Sequence, residues 1–352
     1  MKIMEEVITM LDSCAKRKKF EKICKMPQAH LKKYLAKELK KTHKEIKVDD
    51  GFVYAQGTFP VLLVAHMDTV HKQLPNKIVY MENNNIISSP NGIGGDDRCG
   101  VYMILEVVKR FNCSVLFCED EEIGCIGAIK FTENKFASNL NFNYMIEFDR
   151  KGDKDAVFYD CDNPEFTKFI CKDFYVKDWG SCSDISELAP FFGVAAVNLS
   201  CGYYGAHTTK EFVVFSHMER SIEEACKILE RTTEEDVFEY IPAKNRWGYG
   251  SNYAGYYSGY GIGNYGTAWY DDDDFYYDGN GYGNEMYDNK GSEIAVKTYY
   301  YLIEFKNLDG NLYEYEVTAS STEEAIGMFC IDHPLLSYSH VTGILDDSEP
   351  YM

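Results

Sequence analysis

Acids and histidines follow apolar segments of this sequence at the points where buried strands should end. The segments are "VLLVA", "SVLFC", "NYMIEF" and "VAAVNLSCG". The residues that follow them are His66 and Asp68, Glu121 and Glu122, Asp149, and His207, respectively. Because open α/β sheets place their sites at the carboxyl ends of their strands, we expect these side chains to lie together at one edge of a sheet.

A fifth contribution comes from the glycine-rich turn "GIGGDDRCG", which places Asp96 and Asp97 at the start of a predicted helix. Imidazoles and carboxylates without thiolates form a ligand set that suits Zn²⁺, with Mn²⁺ or Co²⁺ as substitutes. The acids outnumber what one four-coordinate zinc needs. Two metal ions that share one carboxylate would use them better, so we expect two Zn²⁺ per chain.

Simpler explanations exist for each motif alone. His66 and Asp68 could be a satisfied pair at a strand end, and acid runs such as "EDEE" are usually solvated surface. The turn "GIGGDDRCG" lacks the Lys-Ser/Thr of a phosphate-binding loop and the spacing of a dinucleotide fingerprint, which argues against phosphate binding. The coincidence of the motifs at strand ends favours the metal-site interpretation.

The order of the predicted elements indicates an α/β fold. Residues 1–45 have helical spacing, and from 61 to 215 strands such as "VLLVAH" alternate with helices such as "DDRCGVYMILEVVKRF". "SHMERSIEEACKILERTTEEDVFEYI" is predicted to be one long amphipathic helix across the sheet. This pattern predicts a three-layer α/β/α sandwich with a mixed, mostly parallel sheet.

The composition changes after residue 243 and predicts three regions. Residues 1–243 would form the N-terminal helices and the catalytic domain. Residues 244–293 are rich in Gly, Tyr and Asp and should form a low-complexity linker. Residues 294–352, with "TYYYLIEF", "NLYEYEVTA", "STEEAIGMFCID" and "SHVTGIL", predict a small ββαβ module.

The charge and cysteine content exclude several classes of protein. A net charge of −20 argues against a nucleic-acid partner and against docking on anionic membranes. No apolar run approaches the length of a membrane span, and Glu5 and Glu6 interrupt the place of a secretory signal core. Twelve scattered cysteines without a C-x-x-C pair are typical of reduced thiols, so we expect a cytoplasmic protein.

Five motifs together resemble a known superfamily. "AHMDTV", "GIGGDDRCG", "EDEEIGCIGA", "IEFD" and "GAHT" occur in the order found in co-catalytic di-zinc exopeptidases and deacylases, and the resemblance covers about residues 50–215. It implies the three-layer fold of those enzymes. The segments between His66 and Asp96 and between Asp149 and His207 are too short for the extra domains that many members insert there, so the catalytic domain would be a minimal one.

The resemblance also implies a role for each residue. His66 and His207 would bind one metal each, and Asp96 would bridge the two. Glu122 and Asp149 would be ligands of different metals. Glu121 would be the general base, and Asp68 would orient the His66 ring. A metal-bridging water would then attack a carbonyl carbon while Glu121 moves the proton to the leaving amine.

The expected function is therefore hydrolysis of an amide bond by an aminopeptidase or small-peptide peptidase. One alternative is a deacylase that acts on N-acyl amino acids or similar small amides, and another is a binding protein that has kept the fold without turnover. The expected partner is a peptide or small amide substrate, and the residues indicate no particular oligomeric state.

For two of the proposed ligands, the sequence offers more than one candidate residue. Glu147 lies on the same strand face as Asp149, and His71 and His217 compete with His207 as a ligand. Other residues are candidates for different roles. These are Tyr203 or Tyr204 as donors to an oxyanion, Ser183 or Asp184 as a helix cap, Arg98 or Arg150 as ion-pair partners or carboxylate binders, and Cys182 and Cys201 as packing residues.

Overall fold

The computed structural model describes residues 2–81, 85–180, 182–243, 299–307, 311–319, 322–333 and 341–347. The predicted linker at 244–293 lies outside the described residues. The strands are β1 (Glu45–Asp49), β2 (Phe52–Gln56), β3 (Phe59–His66), β4 (Val79–Met81), β5 (Ile86–Ser88), β6 (Cys113–Cys118), β7 (Tyr144–Arg150), β8 (Asp155–Val157), β9 (Val176–Asp178), β10 (Ala196–Ser200), β11 (Tyr203–Tyr204), β12 (Phe212–Val214), β13 (Tyr299–Lys306), β14 (Leu312–Ala319) and β15 (Val341–Asp347).

The helices account for most of the remaining described residues. They are α1 (Lys2–Cys24), α2 (Gln28–Leu39), α3 (Gly95–Val107), α4 (Ile126–Glu133), α5 (Pro164–Ile170), α6 (Asp184–Phe192), α7 (Phe215–Arg231) and α8 (Thr322–Asp332), with a short 3₁₀ turn at Ala137–Asn139.

The main sheet has eight strands in the order β1-β2-β6-β3-β7-β10-β8-β9. Its four central strands, β6, β3, β7 and β10, run parallel, whereas the pairs at β1–β2, β2–β6 and β10–β8 are antiparallel. Strand β7 is buried along its whole length, as expected for a parallel strand covered on both faces. The predicted mixed, largely parallel α/β fold is confirmed.

Hydrophobic cores lie on both faces of this sheet. On one face, Phe20 of α1, Leu35 of α2, Tyr102 of α3 and Met218 of α7 belong to a single cluster. A second cluster on the other face joins side chains of α4 and α6, including Phe131 of α4 and Leu188 of α6. The helices therefore sandwich the sheet and hold the ends of its central strands in place.

Two smaller sheets lie beside the main one. The first has the order β11-β12-β5-β4, and the second, near the C-terminus, has the order β14-β13-β15. A third hydrophobic cluster joins them, because Tyr204 and Phe212 of the first sheet pack with Ile303 and Phe305 of the second and with Phe329 of α8. The C-terminal segment therefore packs against the strands that flank residues 205–211.

Helix α7 is shorter than the sequence predicts. It ends at Arg231, because Thr232 has extended dihedrals (φ −75°, ψ 128°). The following residues form other contacts: Asp236 accepts hydrogen bonds from the backbone N–H and the hydroxyl of Thr233, and the backbone N–H of Phe238 donates to Asn143. These contacts replace the helical bonds that would have continued to residue 241.

The structure also contains short elements that the periodicity did not indicate, such as β8, β9 and α5. Each has 3 to 7 residues, which is too short to show a recognisable period. Among the described residues, no helix is both long enough and apolar enough to cross a membrane.

Candidate active site

The predicted site residues converge at one edge of the main sheet. His66 is the last residue of β3, and Asp149 lies near the end of the neighbouring parallel strand β7. Glu121 and Glu122 follow β6, which pairs with β3 on its other side. Because these three strands are adjacent and parallel, their carboxyl ends bring together residues that are far apart in the sequence.

Two groups of potential ligand atoms share one carboxylate. In the first group, His66 Nε2 lies 3.1 Å from Asp96 Oδ1 and 3.4 Å from Asp149 Oδ1. In the second, His207 Nε2 lies 3.1 Å from Asp96 Oδ2 and 3.1 Å from Glu122 Oε2. Within each group the ligand atoms lie no more than 4.8 Å apart. Asp96 therefore directs one oxygen towards each histidine.

Asp68 contacts the ring of His66 from the side opposite to these groups. Its Oδ1 lies 3.2 Å from His66 Nδ1, and its two oxygens accept the backbone N–H groups of Glu121 and Glu122 at 3.1 Å each. Burial alone would raise the pKa of Asp68, but its contact with His66 outweighs burial and lowers it. Asp68 thus fixes the orientation of the ring and the start of the turn that carries both glutamates.

The donor set fits divalent cations better than it fits hydrogen bonds. An imidazole Nε2 can donate one hydrogen at most, yet both Asp96 and Asp149 approach that atom of His66. Asp149 Oδ1 and Glu122 Oε1 are buried and accept no hydrogen bond. Buried carboxylate oxygens that lack partners are costly, and a cation between these groups would satisfy them.

The acids of the site hold protons to different degrees. Burial raises the pKa of Glu121 well above its usual range, and burial together with the charge of Asp96 does the same for Asp149. For Asp96 itself, burial would raise the pKa, but hydrogen bonds from His207 and His66 outweigh burial and lower it. Asp96, like Asp68, therefore favours its charged form, whereas Glu121 and Asp149 favour their protonated forms.

The turn before α3 places Asp96 and its neighbour differently. Both have non-helical dihedrals, so the regular helix begins after them. Asp97 is fully buried and accepts hydrogen bonds from the backbone N–H of His66 at 3.2 Å and of Gly100 at 2.8 Å. Asp97 therefore ties the end of β3 to α3, whereas Asp96 remains directed at the histidines.

The structure separates the competing residues. Glu147 is fully buried, and its Oε2 accepts the Ser183 hydroxyl at 2.5 Å instead of approaching a histidine. His217 Nδ1 lies 2.7 Å from the hydroxyl of Tyr204, and Tyr203 donates its hydroxyl to the backbone oxygen of Asp149. The hydroxyl groups of Tyr203 and Tyr204 are therefore engaged away from the two ligand groups.

The remaining candidates contact other parts of the fold. Ser183 occupies the N-cap position of α6, directly before Asp184. Arg98 donates to the backbone oxygens of Ile23 and Met26 and is buried, so it links α3 to the end of α1. Arg150 forms an ion pair with Asp178. The guanidinium groups thus have structural ion pairs or hydrogen bonds.

Two residues contact the site although the sequence did not predict this contact. Glu211 is fully buried and contacts the turn that carries Asp96, and the Ser183 hydroxyl lies 2.5 Å from Glu147 Oε2 and 3.2 Å from Asp149 Oδ2. The only local signal for Glu211 is an acid directly before the apolar segment "FVVF". For Ser183 the local signal was its position before a predicted helix, which indicated a cap and no contact with β7.

Comparison with known proteins supports the fold. No family model and no curated protein matches the sequence. Among solved structures, aminopeptidase PepT from Bacillus cereus ATCC 10987 superposes with a TM-score of 0.52 and 14% identity, over 61% of this chain and 97% of that one. An aminopeptidase from the archaeon Desulfurococcus kamchatkensis gives a TM-score of 0.50 and 15% identity, over 62% and 96% of the two chains. At these identities the likeness shows a shared fold.

Proposed function

We propose that the protein is a metal-dependent hydrolase of amide bonds, an aminopeptidase or small-peptide peptidase of the co-catalytic di-zinc superfamily. The observation that carries this proposal is the position of Asp96, whose two oxygens approach two different histidines. A carboxylate shared between two ligand groups can bridge two metal ions that act together on one substrate. The aminopeptidases that share the fold provide independent support for this class of reaction.

The two groups support a division of the proposed ligands between two ions. His66 and Asp149 would hold one ion, His207 and Glu122 the other, and Asp96 both. Histidines and carboxylates without a thiolate favour Zn²⁺, and the same donors accept Mn²⁺ or Co²⁺. When bound, the ions supply Lewis-acid activation of a water molecule and of the scissile carbonyl group.

Glu121 is the residue proposed to move the proton. It belongs to neither ligand group, and its Oε2 lies 3.9 Å from His66 Nε2, close enough to reach the reacting centre. Burial raises its pKa, which makes its carboxylate a better proton acceptor than an exposed glutamate. Glu121 would accept the proton of the attacking water and deliver it to the nitrogen of the leaving amine.

The exposure of the side chains indicates where the substrate enters. The side chain of His66 is 1% exposed, whereas those of Glu121 and His207 are 16% and 17% exposed. The substrate therefore approaches from the side of Glu121 and His207, with His66 at the base of the site. This arrangement places the proposed base on the open side, where the water and the leaving amine must be.

The free cysteines support a reducing compartment. The eleven described cysteines form no disulfide bond, and most of them are buried. Buried free thiols persist in the cytosol, where thiols are kept reduced. We therefore place the proposed peptidase in the cytoplasm.

The test combines metal analysis with a substrate panel. The purified protein is saturated with Zn²⁺, Mn²⁺ or Co²⁺, dialysed and measured for bound metal, and then incubated with aminoacyl amides, di- and tripeptides, and N-acyl amino acids. We expect about two ions per chain and hydrolysis of the amides or short peptides. Turnover of N-acyl amino acids alone would make the protein a deacylase. Fewer than one ion per chain would refute the metal site, and no turnover by a metal-loaded protein would favour a binding protein.

A further inference from the structure

Glu211 joins three of the segments that carry the candidate site. It is fully buried directly before β12, at the end of the loop that contains His207. Its Oε2 accepts hydrogen bonds from His71 Nε2 and from the backbone N–H of Gly94, both at 2.7 Å. Its Oε1 accepts the backbone N–H of Asp96 at 3.0 Å. Through these contacts, one carboxylate links its own loop, between β11 and β12, to the loop after β3 and to the turn before α3.

From these contacts we propose that Glu211, together with His71, is a positioning residue that fixes the bridging carboxylate of Asp96. This inference rests on the proposed function, because it assigns a task to Glu211 only if Asp96 binds metal. Glu211 touches the backbone of Asp96 and leaves both of its side-chain oxygens directed at the histidines.

The packing around Glu211 leaves it little freedom. A Cβ atom at Gly95 would lie 3.3 Å from Glu211 Oε1 and 2.8 Å from the Cβ of Tyr203, and one at Gly92 would lie 2.1 Å from the ring of His71. The glycines of "NGIGGDD" therefore allow the turn to close onto the Glu211–His71 pair. This requirement gives a physical reason for glycine at these two positions of the motif.

His71 contacts the buried carboxylate of Glu211 at 2.7 Å. Burial would lower the pKa of His71, but the hydrogen bond to Glu211 outweighs burial and raises it. A carboxylate that is removed from water is costly unless it is paired and hydrogen-bonded, and here it has one imidazole and two backbone donors. The hydrogen bonds of the pair are therefore suited to hold a rigid turn.

The variant Glu211→Gln separates this role from simple packing, because the two side chains have nearly the same shape. The amide oxygen of glutamine can still accept from His71 and Gly94, but its NH₂ group would then face the N–H of Asp96, where it cannot accept a hydrogen bond. The hydrogen bond to Asp96 is thus the one that is lost. Substitution of a residue that holds a metal ligand in place typically weakens metal binding about 10- to 100-fold.

The experiment measures Co²⁺ binding by the full-length protein, by calorimetry and by the visible absorption spectrum of the bound ion. We expect Glu211→Gln to bind Co²⁺ about 10- to 100-fold more weakly than the unaltered protein and with a changed spectrum. His71→Gln should show a loss in the same direction. The control is Glu106→Gln, which removes a carboxylate from the same helix that follows Asp96, where it pairs with Lys19 and Lys109. Its Co²⁺ affinity and spectrum should be unchanged.

The outcomes distinguish this inference from the proposed function. Absence of Co²⁺ binding by the unaltered protein would refute the metal site and, with it, this role of Glu211. Normal binding by the unaltered protein together with the same affinity and spectrum in Glu211→Gln would overturn the role of Glu211 alone. If Glu211→Gln does not fold, His71→Gln decides: a weaker affinity supports the inference, and an unchanged affinity overturns it.

Discussion

At the scale of single residues, the adjacent acids Glu121 and Glu122 have different surroundings although they are chemically identical. Glu122 Oε2 lies 3.1 Å from His207 and belongs to a ligand group, whereas Glu121 belongs to none. Asp68 holds the backbone N–H groups of both, so their side chains diverge from one fixed turn. Two carboxylates in different environments can serve as a ligand and as a base.

This difference predicts opposite effects of two matched substitutions. Glu121→Gln should lower the turnover number by at least about 100-fold while the metal content stays near that of the unaltered protein, because it removes the proposed proton acceptor and none of the proposed ligands. Glu122→Gln should reduce the bound metal, because it replaces an oxygen proposed to bind the ion. The measurement is turnover on an aminoacyl amide beside metal content by mass spectrometry. If Glu121→Gln lost the metal and Glu122→Gln kept it, the two roles would have to be exchanged.

Metal binding should also depend on pH. In the metal-free protein, burial raises the pKa of Asp149 and Glu122, and the acids around His66 outweigh its burial and raise the pKa of the imidazole. A cation must displace the protons held by these groups, so binding weakens as the pH falls and strengthens as it rises through neutrality. We expect about a tenfold change in apparent affinity per pH unit for each proton released.

Calorimetry at pH 6 and pH 8, in buffers with different ionisation enthalpies, measures both the affinity and the protons released. The same affinity at both pH values, without proton release, would show that the ligands are already deprotonated in the metal-free protein. That result would contradict the pKa directions given above for the metal-free site.

At the scale of elements, the position of Asp149 depends on how closely α3 approaches β7. Gly100 allows this approach, because a Cβ atom there would lie 1.9 Å from the backbone oxygen of Phe148 and 2.5 Å from Asp97 Oδ2. Gly100→Ala must push the helix away from the strand. We expect a loss of about 1–3 kcal/mol in the free energy of unfolding, measured by urea denaturation, together with weaker metal binding.

The matched control is Gly193→Ala at the end of α6. Gly193 has a φ of 66°, but a Cβ there would meet no atom within 4 Å. Its substitution should therefore cost only the backbone strain, about 1 kcal/mol, and leave metal binding unchanged. Equal effects of the two substitutions would mean that the contact between α3 and β7 does not hold the site together.

At the scale of the whole molecule, the C-terminal segment contacts the strands that flank the loop of His207. A Cβ atom at Gly327 of α8 would lie 2.2 Å from the ring of Phe212 in β12, and that ring stacks on Tyr204 of β11 at 5.2 Å. We propose that the described elements β13, β14, α8 and β15 form a small module that supports this loop from outside. The described strands and helix of this region occur in the order β13, β14, α8, β15.

Gly327→Leu should disturb this contact, because the larger side chain cannot fit against the buried ring of Phe212. We expect a loss of about 1–3 kcal/mol in the free energy of unfolding, measured by urea denaturation, and weaker binding of the ion held by His207. Leu312→Ala is the control, since Leu312 is 59% exposed in β14. Unchanged stability and metal binding in Gly327→Leu would show that the segment does not support the loop.

The sequence alone determined the class of fold and the edge of the sheet at which the site lies. Both follow from local patterns. Continuous apolar runs predict central parallel strands, helical spacing predicts the covering helices, and polar residues directly after the runs lie at the strand ends. The positions of His66, at the end of β3, and of Asp149, near the end of β7, illustrate this, because each was predicted from the segment that precedes it.

Which of these residues contact one another depends on the tertiary structure. Glu147 and Asp149 share a strand face, yet the residue nearer the end of β7 approaches His66 and the other binds Ser183. Glu211 lies 115 positions from Asp96 and gives no distinctive local signal, but the fold brings its carboxylate onto the backbone of that residue. The spacing of apolar residues along the sequence indicates on which face of a strand or helix a side chain lies. Contacts between distant segments depend on strand order and on helix approach, which are properties of the packed chain as a whole.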